Sequence, residues 1–208
     1  MPSLSPSHLL EMALMAVVLL FSVIVHEVAH GYVALRNGDP TAKMLGRLTL
    51  NPVPHIDPVG TILLPALLLM SGAGIIFGWA KPVPVNPLNF RNYRWGEISV
   101  SAAGPLSNLA LAVLFSYLLQ LAPMNLGLTQ MALWGVKINI FLALFNLIPI
   151  PPLDGSHIVS TLLPRDLARM YAYLEPVGFI LILVLFYTGI MGMFLMPVYR
   201  LIAHFLLG

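Results

Sequence analysis

Apolar residues gather in six stretches of the chain, at roughly 9–36, 60–80, 97–122, 131–152, 171–190 and 191–207. A helix needs about 20 apolar residues to cross the hydrocarbon of a bilayer. The stretches at 9–36, 97–122 and 131–152 meet that length, and 171–190 fits it. The last is short and contains Arg200 and His204, which reads as a tilted span or an interfacial helix whose polar side chains snorkel to the boundary. The stretch at 60–80 is broken by Pro65, Gly72 and Gly74. Two polar, proline-rich stretches separate these runs: "NGDPTAKMLGRLTLNPVPHIDPVG" at 37–60 and "GWAKPVPVNPLNFRNYRW" at 78–95. Prolines at that density exclude regular helix. "KMLGRLTL" alternates polar and apolar positions and predicts a short strand, and "AKPVPVNP" predicts an extended edge. The pattern predicts an all-α polytopic membrane protein of about five to six membrane segments, with small membrane-associated β-strands in the polar stretches.

Composition sharpens this. Of 208 residues, 59% are hydrophobic and 9% charged, against about a quarter charged in soluble domains. So few charges cannot cover a water-facing surface, and the solvent is mostly lipid. A net charge of +2 gives no footing for a nucleic-acid partner. With no cysteine, disulfides and thiolate chemistry are excluded. The first apolar run is too long for a signal-peptide core and lacks a basic flank, so it is expected to be a retained span.

Inside that first run lies "VIVHEVAHGYVA", 23–34. His26 and His30, four apart, share one face of a helix, and two neutral imidazoles one turn apart can hold a zinc ion. Glu27 is placed to take a proton from water activated by the ion. This is the H-E-x-x-H arrangement of zinc peptidases. Three ionisable groups within five residues of a span each cost about 2–3 kcal/mol at the bilayer centre unless paired or bound, which argues for metal chemistry over a structural role.

A catalytic zinc usually has three protein ligands. In "FNLIPIPPLDGSHI", 145–158, an apolar helix stops at a proline cluster and Asp154 follows. Non-helical backbone at membrane depth is tolerated where it lines a cavity, so Asp154 can be aimed at a metal; equally, it can cap a following helix over 155–163. Asn108, in "SAAGPLSNLALA", and Asn146 are amides in spans that want partners. Each is a candidate for an oxyanion or substrate contact, with interhelical hydrogen bonding as the alternative for Asn108 and a bond to the unwound backbone near Pro149 for Asn146. His157 is a candidate to orient Asp154, and His55 is expected to be a solvated loop residue.

"HEVAH", "AGPLSN" and "FNLIPIPPLDG", in that order, resemble the site-2 protease family of intramembrane zinc metalloproteases, peptidase family M50, in its compact bacterial type without a PDZ domain. The resemblance implies that His26, His30 and Asp154 bind one Zn²⁺ per chain and that Glu27 is the catalytic acid/base. It implies cleavage of peptide bonds in or near a substrate's transmembrane segment. The chain is then a single integral membrane domain over 1–208, with a catalytic core at about 20–160 and C-terminal helices at 171–207.

The metal also constrains topology. His30 and Asp154 must share one membrane depth, each near the C-terminal end of its helix. An even number of crossings must separate them, and 97–122 and 131–152 already supply two. Hence 60–80 is expected to be re-entrant or a hairpin. Arg36, Lys43, Arg47, Lys81, Arg91, Arg94, Arg165 and Arg169 then fall on the active-site side, which the positive-inside rule makes cytoplasmic. A bacterial inner membrane is the expected location, with the bilayer and a transmembrane substrate as partners. The rival reading is a zinc-binding membrane transporter or metal sensor, which predicts polar residues lining a path across the whole bilayer.

Overall fold

The computed structural model describes residues 6–71, 78–121 and 126–208. The long helix α1 (Pro6–Asn37) is followed by the short α2 (Thr41–Met44), a wide helical turn at Pro58–Leu63 and α3 (Leu64–Ser71). Then come α4 (Tyr93–Leu121), α5 (Leu126–Asn146), α6 (Asp154–Leu162), α7 (Arg165–Ala172), α8 (Glu175–Tyr187) and α9 (Ile190–Leu207).

Among the described residues, four helices are long and apolar enough to cross a membrane: α1 from Leu10, α4, α5 and α9. The pair α7 and α8, bent by 66°, would make a fifth if it counts as one broken span. The described residues thus give four to five spans, and the expected five to six segments are not confirmed. The predicted strands are also absent among the described residues. Residues 43–50 form the end of α2, turns and bends, and 78–86 run extended without a ladder. Pro82 and Pro84 remove donors from that stretch, and the amides of Trp79, Lys81, Val83 and Asn86 bond outside any ladder, which works against strand pairing.

Contacts fix the directions of the four long helices. His30 meets Val100 and His26 meets Asn108, so α1 and α4 are antiparallel. Asn108 meets Asn139 while Phe115 lies against Gly135, so α4 and α5 are antiparallel too. Ser116 on α4 donates to the Leu206 carbonyl, which puts the C-terminal end of α9 at the same end as that of α4. The C-terminal end of α1, the N-terminal end of α4 and the C-terminal end of α5 therefore share one end of the bundle, where the polar stretches lie. The core between these helices is Val18, Leu111, Ala112, Phe115, Val136 and Ile140. Gly135 is required there, because a β-carbon would overlap the Phe115 ring.

The broken stretch at 60–80 leaves and returns at one place. Trp79 N donates to the Gly60 carbonyl at 3.2 Å, and Thr61 Oγ1 donates to the Trp79 carbonyl at 2.8 Å. Gly72 and Gly74 lie outside the described residues. The basic residues at 36–47, 81–94 and 165–169 sit at helix ends and connections. Lys137 departs from that pattern: it is exposed halfway along α5, its ammonium 5.4 Å from the centre of the Trp134 ring.

Candidate metal centre

Helix α1 carries His26 and His30 on one face, both rings buried. They can lie against α4 because of Gly104, where a β-carbon would overlap both imidazoles. The small-residue motif "AGPLSN" thus makes room for the rings. Pro105 follows, inside the helix; it removes the bond to the Ser101 carbonyl and opens that turn, next to the Val100 carbonyl that faces His30. Helix α5 stops at Asn146, ahead of Pro149, Pro151 and Pro152, and the chain turns back to start α6 at Asp154. Asp154 is the first residue of α6, after Leu153 at the cap position; its carboxylate faces the histidines.

Three donor atoms converge. His26 Nε2 and His30 Nε2 are 3.0 Å apart, and Asp154 Oδ2 lies 3.2 Å from the first and 3.4 Å from the second. His30 Nδ1 donates to the Val100 carbonyl at 2.7 Å, and His26 Nδ1 donates to Asn108 Oδ1 at 2.6 Å. With both ring protons on Nδ1, both Nε2 atoms present lone pairs. Asp154 Oδ2 is correspondingly buried with no hydrogen-bond partner among the described residues. Three lone pairs facing one another with no proton between them call for a cation. Ligands about 2.05 Å from a tetrahedral zinc are about 3.3 Å from each other, so the observed triangle fits a zinc ion that these three side chains would hold together. Among the described residues, His26, His30 and Asp154 are the group able to hold a metal.

Glu27 Oε2 accepts a hydrogen bond from Val83 N at 2.7 Å. That bond ties the extended segment after residue 78 to α1 and leaves Oε1 outside it. The segment is fastened at further points. Lys81 N donates to the His55 carbonyl at 2.9 Å, and Arg47 Nη2 donates to the carbonyls of Lys81 at 2.7 Å and Pro82 at 3.1 Å. Asn86 N donates to Asp39 Oδ2 at 2.7 Å, and Asn89 Nδ2 to Asp39 Oδ1 at 2.8 Å. Burial pushes the Asp39 carboxyl up, but the donors of Thr41, Asn86 and Asn89 outweigh it and hold the group below the usual carboxylate value.

Several sequence expectations are placed differently. Asn108 is fully buried, with Oδ1 on His26 and Nδ2 on Asn139 Oδ1 at 2.8 Å, the interhelical bonding that was its alternative. Asn146 donates from Nδ2 to the Leu142 carbonyl of its own helix at 3.0 Å. His157 does not orient Asp154; its Nδ1 pairs with Glu97 Oε1 at 3.3 Å, and the Glu97 contact raises the His157 pKa above its ordinary value. His55 is fully buried rather than solvated, with Nε2 donating to the Thr49 carbonyl at 2.9 Å. Sequence reasoning missed Val83, Val100 and Asn139. The first two act through backbone atoms, which side-chain identity does not reveal. Asn139 carried the same signal as Asn108, an amide inside a span.

A soluble zinc peptidase would set such a centre in a water-facing cleft. Here it lies between membrane-length helices, and the class that combines these two properties is the intramembrane zinc metalloprotease. Comparison with known proteins then gives the family. The sequence model of peptidase family M50 matches residues 122–185. The chain is 43% identical over 195 residues to a protein of Bacillus subtilis (strain 168) named zinc metalloprotease YwhC, covering 89% of this chain and 85% of that one. It is 34% identical over 183 residues to Rip2 of Mycolicibacterium smegmatis (strain ATCC 700084 / mc(2)155), also named a zinc metalloprotease, covering 81% of this chain and 64% of that one. It is 24% identical over 187 residues to zinc metalloprotease MJ0392 of Methanocaldococcus jannaschii, covering 87% of this chain and 44% of that one. No solved structure matches. The chain belongs to peptidase family M50.

Proposed function

We propose that this chain hydrolyses peptide bonds in or near transmembrane segments of other membrane proteins. His26, His30 and Asp154 hold one zinc ion and Glu27 serves as acid/base. The observation that carries the reading is the triangle of unprotonated donor atoms at 3.0, 3.2 and 3.4 Å. The ion supplies Lewis-acid polarisation of the scissile carbonyl and makes water a nucleophile near neutral pH. Glu27 takes the water's proton at Oε1 while Oε2 stays anchored to Val83 N–H. As the C–N bond breaks, Glu27 returns that proton to the leaving amine. A substrate helix must unwind first, since its own hydrogen bonds shield the peptide bond.

The domain is read as one unit over 1–208, with its core at about 20–160 and C-terminal helices at 171–207. Charge favours a cytoplasmic active site. Arg36, Lys43, Arg47, Lys81, Arg91, Arg94, Arg165 and Arg169 belong to connections or helix ends at the site's end of the bundle. The proposed location is the cell membrane. Single cysteines introduced at Asn89 and Asp166 into this cysteine-free chain should both label from the cytoplasm; labelling on opposite sides would reject the topology. The transporter reading gains no support, because most ionisable groups gather at the site's end of the bundle, with Glu11, Lys137, Arg200 and His204 away from it.

Glu27→Gln tests the reaction. A protease keeps its zinc and loses cleavage of a model transmembrane substrate by about 10² or more. Unchanged cleavage, or loss of the metal with the carboxylate, would reject the assignment.

A further inference from the structure

The two zinc-facing histidines are held in unlike ways. The Val100 carbonyl behind His30 is main chain, can only accept, and cannot turn round. Behind His26 stands the side-chain amide of Asn108, which could present either its oxygen or its NH₂ to Nδ1. With the NH₂ turned toward His26, the ring would have to accept at Nδ1 and carry its proton on Nε2, where it would block the metal. Something must hold Asn108 the right way round.

The structure supplies it. Asn139, on α5, is as fully buried as Asn108. Its Nδ2 donates to the Gly135 carbonyl at 2.8 Å, a partner that can only accept, and to Ser22 Oγ at 2.8 Å. That leaves Asn139 Oδ1 facing Asn108, where it accepts from Nδ2 at 2.8 Å. Asn108 Nδ2 is also within 3.3 Å of the Ser22 carbonyl. Both donors of Asn108 therefore point away from His26, and its oxygen points toward it. The direction of every bond follows from carbonyls that cannot donate.

We propose that Asn139 is a positioning residue for the metal centre: through Asn108 it fixes the His26 tautomer that keeps Nε2 free for zinc. The proposal rests on the zinc reading of His26, His30 and Asp154. It makes a prediction that a packing role for Asn139 does not. With Asn108 replaced by leucine there is no amide to orient, so Asn139 would have nothing to lock.

The test is a double-mutant cycle on the purified full chain, read by zinc affinity against a chelator and by the ¹⁵N signals of the histidine rings in zinc-free protein. Asn139→Leu should weaken zinc about 10- to 100-fold, the usual effect of losing a ligand's hydrogen-bond partner. It should also give His26 a mixture of tautomers while His30 keeps its proton on Nδ1. Asn108→Leu should weaken zinc similarly. Added to Asn108→Leu, the Asn139→Leu change should cost little further affinity. The same loss in both backgrounds would overturn the proposal, as would an unchanged His26 tautomer in Asn139→Leu. Loss of the His30 signal together with zinc would mean that Asn139 holds the fold, and would overturn it as well. Because none of these readouts uses cleavage, an absence of proteolysis in the wild type would strike the proposed function and leave this inference standing.

Discussion

The seam between α1, α4 and α5 and the strap at residues 78–90 bring polar groups to one site by opposite constructions. In the seam, Ser22, His26, His30, Asn108 and Asn139 are all buried and bond to one another or to main-chain carbonyls between close-packed helices. Gly104 and Gly135 let those helices approach. The strap has little packing of its own, with Val83 and Phe90 as its buried apolar residues. It is held by separate bonds to His55, Arg47, Glu27 and Asp39. Metal ligands need fixed geometry, and tight packing gives it. The strap, which bonds Glu27, the proposed proton carrier, belongs instead to the kind of segment that opens most readily, with few apolar contacts and individually breakable bonds.

The largest effect should come from removing a ligand contributed to the seam. Asp154→Ala should leave the protein without zinc by metal analysis and lower cleavage roughly 10³-fold, the scale of several kcal/mol of lost transition-state stabilisation. Gly104→Ala should come next. The added methyl meets both imidazoles, so overpacking of about 1–3 kcal/mol should appear together with weakened zinc binding. Gly192→Ala, with open space around its β-carbon, should change neither.

A change in the strap should separate the two regions. Val83→Pro removes the N–H that Glu27 accepts, in a residue already followed by Pro84 and so already biased to extended backbone. Zinc content should hold while kcat falls about tenfold, consistent with a hydrogen bond to a charged group worth about 1.5–3 kcal/mol. Loss of zinc in that variant would show that strap and seam are not independent.

The smallest effect concerns His157, whose pairing with Glu97 raises its pKa from 6.5. A raised histidine stabilises the fold below its unfolded value, and that contribution is lost as pH rises through the folded value. The Tm difference between wild type and Glu97→Gln should therefore be present near pH 6 and shrink as the solution becomes alkaline. With the His157 side chain half exposed, about 1 kcal/mol is an upper limit.

The same contrast explains what the sequence revealed. Helices of the seam announce themselves by length and apolarity, and the pair of histidines by four-residue spacing. The demand that His30 and Asp154 share a depth predicted no net crossing over 60–80, and Trp79 is hydrogen-bonded to Gly60. The strap could not be read this way. Its course is set by single bonds from Arg47, Asp39 and Glu27, residues far away in sequence, and its prolines favour extended backbone without making a strand. Asn108 was found as a polar residue in a span, but its role depended on what lay behind it. The His26 ring, Asn139 and the Ser22 carbonyl reach it from two other helices, and no local pattern encodes that meeting.

The central claim is that one zinc ion is held jointly by His26 and His30 from α1 and by Asp154 from the start of α6. X-ray absorption at the zinc edge of the purified protein tests it most directly. Two imidazoles and a carboxylate oxygen at about 2.0–2.2 Å, with one further light ligand, are expected, with one imidazole lost in His26→Ala. A metal-free protein, or a zinc shell that His26→Ala leaves unchanged, would contradict the account.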